Sequence, residues 1–135
     1  MEIQLLRADT TSLKVDALVY PAEDGSAEPV AVSSGNFLCR FVIHVQVPKA
    51  SEADSEAKLR KATTVALERA EELAVASVGV PPIGTGFAAQ TQARVMLAAA
   101  LEFRPRARSL QRAVFCLFGQ AELETFQHAL AELGG

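Results

Sequence analysis

The chain has 135 residues, enough for one domain with its own core. Half of them are apolar and 21% are charged, and 13 basic against 16 acidic side chains leave a net charge of -3. That balance excludes broad binding to nucleic acid or an anionic membrane, but it allows a small anion held locally by backbone N–H groups.

The opening MEIQLLR has no basic region followed by a long apolar core, so no signal peptide is read there. No apolar run approaches the ~18 residues of a membrane span. A cytoplasmic location is expected. Glu2 to Arg7 reads as a first strand. Asp16 to Tyr20 is a second, short and mostly apolar, ending at Pro21. Pro21 to Pro29 is acidic and rich in turn formers, hence a loop. Val30 to Val32 and Arg40 to Val47 read as strands, and the Ser33–Asn36 turn signal between them makes a hairpin.

Ser51 is expected to cap the first helix, with Asp54 three residues on as in a capping box. Leu59, Ala62, Thr63, Ala66, Leu67, Ala70, Leu73 and Ala74 fall on one helical stripe. Lys58, Arg60, Lys61, Glu68, Arg69, Glu71 and Glu72 lie mainly outside it, on a face expected to be solvated. Val75 to Val80 is apolar without alternation, as in a strand covered on both sheet faces.

A helix near Gln90 to Phe103 follows, with Ala93, Met96, Leu97, Ala100 and Leu101 inward and Pro105 as its stop. Ala113 to Phe118 is a further buried strand. The last helix carries Leu123, Phe126, Leu130 and Leu133, and Gly134 closes it. Strand, helix, strand, helix, strand, helix in the second half demands parallel strands. The fold class is therefore α/β: a mixed central sheet of about six strands with helices on both sides, an αβα sandwich in a single domain over residues 1–135.

Ligands bind at the carboxyl ends of parallel strands. Gly84-Thr85-Gly86 lies there, between the Val75–Val80 strand and the next helix. Glycine permits positive φ and close approach of a ligand, and amides in such a turn attract anions. The same glycines also suit a turn that needs them for shape alone. Phe87 flanks the turn, either over a ligand or as a plug. Cys39 and Cys116 have no metal-spaced neighbours and read as buried free thiols. His44 reads as a core histidine, and His128 has no recognisable partner. The Arg104–Arg112 stretch is the one basic cluster, either a solvated loop or a phosphate patch. No nucleophile with a base, metal set or Walker loop can be read, so neither a catalytic residue nor a cofactor is assigned.

The stretch SVGVPPIGTGF resembles the second nucleotide-binding loop of macro domains, the ADP-ribose-binding family. RADTTSLKVDALVYPA is similar to that family's opening strand, turn and second strand; EPVAVSSGNFLCRFVIHVQVP to its hairpin region, including Val42-Ile43-His44; and LQRAVFCLFGQAELETFQHAL to its closing strand and helix. The resemblance covers nearly the whole chain in order. It implies that Asp9 accepts a hydrogen bond from adenine, although Asp9 also reads as a turn cap. It implies that Phe118 stacks on the base, although a core phenylalanine fits as well.

The chain also departs from the family. Tyr20-Pro21-Ala22-Glu23 stands where members have Asn-Ala-Ala-Asn, so Glu23 replaces the asparagine beside the distal ribose. The nine residues Pro21 to Pro29 replace a glycine-rich loop and a helix. Ala88-Ala89-Gln90 replaces Gly-Phe-Pro. The expected function is a weakened binder of ADP-ribose, a nucleotide or another phosphate-bearing ligand, without catalysis. The alternatives are an interaction protein that dimerises through the uncovered sheet, and a hydrolase using Glu23.

Overall fold

The computed structural model describes residues 1–8, 13–22, 30–33 and 39–134, with the side chains of 21–22 and 30–33 excepted. Six strands form one sheet: β1 (Glu2–Arg7), β2 (Ala17–Ala22), β3 (Val30–Ser33), β4 (Phe41–Gln46), β5 (Ser77–Val80) and β6 (Arg112–Leu117). Three helices connect or follow them: α1 (Ser55–Glu72), α2 (Ala89–Phe103) and α3 (Gln120–Glu132). The strand order is β1-β6-β5-β2-β4-β3. Every neighbouring pair is parallel except β3 with β4. The fold is the expected α/β class with a mixed six-stranded sheet, and its antiparallel hairpin sits at the edge.

Alternation along the strands decides which residues meet the helices. Ala17, Val19, Ile43, Val45, Val78, Val80, Ala113, Phe115 and Leu117 share one core with residues of all three helices. The chain steps from β4 through α1 to β5, then through α2 to β6, always in the same direction across the sheet. Right-handed crossovers in one direction lay their helices on one face. α1 accordingly packs on α2, and α2 on α3. Helices were expected on both faces; among the described residues they occupy this one. The opposite face carries the buried Leu18, Val42, Val114 and Cys116. A Cβ on Gly79 there would fall 2.8 Å from a methyl of Leu13, so glycine lets that side chain lie against the sheet.

Several ends differ from the sequence reading. Ser51 does not cap α1. The helix starts at Ser55 behind Asp54, which has φ 54 and makes no side-chain cap bond. Glu52 instead accepts the Lys49 N–H at 2.8 Å and pairs with Lys58 at 3.0 Å. β2 runs past Pro21 to Ala22, because beyond Leu18 it pairs with β4 alone and a missing N–H costs no bond to β5. Cys39 is half-buried in a bend before β4, whereas Cys116 is buried, and both are free thiols. Burial pushes the Cys116 thiol up to about 11.

The charged face of α1 is more than a solvated surface. Arg94 pairs with Glu56 at 2.9 Å, Arg106 with Glu68 at 2.6 Å, and Arg60 with Glu102. Arg106 also lies over the Phe103 ring, 5.2 Å from its centroid. Glu71 accepts the backbone N–H groups of Arg108, Ser109 and Leu110 at 2.9, 2.9 and 3.1 Å, which fixes the turn before β6. Those donors hold its carboxyl down to about 2, from an ordinary value of 4.5.

A depressed folded-state value means stability that is present above pH 4.5 and lost as pH falls toward 2. Glu71→Gln is expected to cost about 1–2 kcal/mol near neutral pH, a figure discounted for solvent screening, and the gap to wild type should close at acid pH. Urea titrations across that range check it. A gap that stays constant with pH contradicts the carboxylate's role.

Candidate functional site

All five parallel strands end at the same edge of the sheet. Connections leave β5 toward β6 and β2 toward the β4 side, so the strand order reverses between β5 and β2. Such a switch point leaves a crevice outside the carboxyl ends. The register widens it. β5 pairs with β6 over four residues, but with β2 only at Ala17–Val78 and Leu18–Gly79. Toward their carboxyl ends, β5 and β2 are no longer paired.

The Gly84 turn sits at this place. Gly84 has φ 103 and Gly86 has φ 82, so both glycines hold backbone that other residues rarely adopt. The base of the turn is fixed from α2: buried Gln92 donates to the Ile83 carbonyl at 2.6 Å, and the Ile83 N–H approaches the Met96 sulfur at 3.4 Å. Its tip is tied to the β4–α1 connection. Thr85 N–H donates to Pro48 at 3.0 Å, and Ala50 N–H donates to Thr85 at 2.9 Å.

The Thr85 amide, expected among the anion donors, is therefore already committed, and Thr85 can offer a ligand only its exposed side chain. The amides of Gly84, Gly86 and Phe87 have no partner among the described residues. α2 begins two residues later behind Ala88, with neither a side-chain cap nor an acid in its first turn. Its positive end adds to the pull on an anion.

Phe87 is half-buried and packs against the core. A Cβ on Gly84 would lie 2.7 Å from two atoms of its ring, so the ring rests directly on the turn. Phe118 contradicts the core reading: it is 61% exposed at the end of β6. Its N–H donates to Glu122 in the first turn of α3 at 3.1 Å, which holds the backbone while the ring stays open. Ala8 N–H reaches Leu117 at 3.0 Å, so β1 ends beside β6. Asp9 and Glu23 lie outside the described residues.

Tyr20 could have been singled out as a candidate surface aromatic by its place at the carboxyl end of β2. It is 48% exposed and meets the half-buried His44 edge-on, with ring centroids 5.8 Å apart. His44 is thus no core histidine. His128, expected to lack a partner, has Glu132 at 2.9 Å. Among the described residues no cluster of potential metal ligands forms, and no helix is long and apolar enough to cross a membrane.

The macro domain family model matches residues 16–99. An uncharacterised protein of Mycobacterium tuberculosis is 27% identical over 96% of this chain, which spans 45% of that protein. An uncharacterised protein of Pyrobaculum aerophilum is 28% identical over 93% of the chain and 89% of its own length. The chain thus spans less than half the length of its mycobacterial relative. Among solved structures, an Oceanobacillus iheyensis macrodomain with ADP superposes with a TM-score of 0.87 at 18% identity, covering 96% of this chain and 90% of that one. A fold shared at that score and a family match over most of the chain lead to one conclusion: the chain belongs to the macro domain family.

Proposed function

We propose that this domain is a binding module for ADP-ribose or a related nucleotide, without a catalytic role. One observation carries the reading. A turn with two positive-φ glycines, whose amides at Gly84, Gly86 and Phe87 have no partner among the described residues, lies at the switch point, and an exposed aromatic ring stands at the end of the next strand. The amides suit a phosphate, and the Phe118 face suits a base. The solved Oceanobacillus relative with ADP supports a ligand of this class. Affinity is modest, because nine residues stand where the family carries a glycine-rich loop and a helix.

Calorimetry with ADP-ribose, ADP and AMP tests this. Binding should appear for all three, and Phe118→Ala should weaken it about tenfold, the worth of one stacked base. No heat from any of them at millimolar concentration contradicts the proposal.

One observation favours a second reading, a two-fold dimer. Leu6 and Tyr20, 43% and 48% exposed, lie on the same sheet face near its carboxyl edge, and Phe118, 61% exposed, follows directly on the end of β6 at that edge. Apolar groups grouped like this often mark an interface. Light scattering that shows a monomer at every accessible concentration removes it.

A further inference from the structure

The amino ends of β2, β4, β5 and β6 meet at the edge of the sheet opposite the Gly84 turn. A groove of about 810 Å³ lies there, with Lys14, Arg40 and Arg112 in its wall. Its floor is fixed by backbone bonds. The Asp16 carboxylate accepts the N–H groups of Ala76 and Ser77 at 2.9 and 3.2 Å, and its carbonyl accepts those of Arg40 and Phe41 at 2.8 and 3.2 Å. The Ala76 carbonyl takes the N–H groups of Gln111 and Arg112 at 2.7 and 3.1 Å.

The carboxylate of Asp16, the one acid among the described residues of the groove, is therefore turned to backbone donors and pairs with none of the three cations. Among the described residues Lys14, Arg40 and Arg112 form no ion pair, a state they share with Arg7, Lys49, Lys61, Arg104 and Arg108, but only these three line one groove together. Both arginines are nonetheless placed. Arg40 lies over the Phe41 ring, 5.4 Å from its centroid, and Arg112 donates to Gln4 at 3.3 Å.

We propose that this amino-edge groove is a second ligand site, separate from the Gly84 turn, for a small polyanion carrying two or three phosphate groups. Guanidinium forks match phosphate oxygens in pairs, and the lysine adds a point charge. The volume lies within the ~300–1,000 Å³ of small-ligand sites. Among the described residues its lining has three cationic side chains and no aromatic ring, which favours recognition of phosphates over a base. A long polyanion would run from the groove onto a protein of net charge -3 and meet repulsion there.

Titration of the ¹⁵N-labelled protein with tripolyphosphate tests the proposal. Amide shifts should move at Lys14, Arg40, Ser77 and Arg112 and stay fixed at Gly84 and Gly86. Binding should weaken about tenfold in Arg40→Gln and again in the Arg40→Gln/Arg112→Gln double variant, the loss expected for charge-assisted hydrogen bonds. Should the double variant fail to fold, Lys14→Gln/Arg40→Gln, both at exposed positions, gives the same readout. Three results overturn the proposal: no shift at the amino edge, undiminished affinity in the variants, or tighter binding of oligoglutamate or single-stranded DNA than of tripolyphosphate. The last would make the groove a macromolecular surface.

Discussion

Gly84→Val is expected to destabilise the domain by about 3 kcal/mol, lowering its melting temperature by about 10 °C, and to abolish nucleotide binding at the turn. Two causes combine. At φ 103 a β-branched residue is strained, and its Cβ would lie 2.7 Å from the Phe87 ring. They can be separated. In Gly84→Ala the backbone strain persists, while Phe87→Ala in that background removes the collision. The double variant should therefore recover part of the loss, and scanning calorimetry on the four proteins reads the coupling. A Gly84→Val protein with an unchanged melting temperature would mean that the turn does not hold this conformation.

Phe126→Ala carries the second large effect, a loss of about 3–5 kcal/mol in urea unfolding. Phe126 is fully buried on α3, with its ring centroid 6.3 Å from that of Phe115 on β6. The contact joins the last helix to the strand that ends at Phe118. Truncation leaves a cavity that two rigid elements cannot collapse to fill. Phe126→Leu should cost less than half as much. A loss under about 1 kcal/mol for the alanine variant would show that α3 does not pack here as described.

Much of the fold was legible because its signals are local. Runs without alternation at Val75–Val80 and Ala113–Phe118 mark strands buried on both faces, and 3.6-residue periodicity marks each helix. The glycine turn falls at the carboxyl edge because Gly84-Thr85-Gly86 lies between the Val75–Val80 strand and the next helix. Bonds that join distant segments left no such signal. Glu71 reads as one more acid on a solvated face until the turn at Arg108–Leu110 brings it three amides. Ser51 has a capping pattern, but the chain is tied back to Thr85 through Ala50 and the helix starts four residues later. Phe118 looks like core because the strand pattern cannot tell the last buried residue, Leu117, from the first one beyond the sheet.

The candidate site divides the same way. Glycine spacing exposes a positive-φ turn to a reader of the sequence. The commitment of the Thr85 amide to Pro48 depends on a contact 37 residues away, which spacing cannot reveal. Neither can the arginines at the amino edge, because Arg40 and Arg112 lie far apart in the chain and line one groove only through the register of the sheet.

The central claim is that the Gly84 turn and the open ring of Phe118 are two halves of one nucleotide site. A ¹H–¹⁵N titration with ADP-ribose addresses it most directly. The amides of Gly84, Gly86, Phe87 and Phe118 should shift together along one saturating curve. If those amides stay still at millimolar ligand while the protein remains folded, or if only Phe118 moves, the two halves do not form a site.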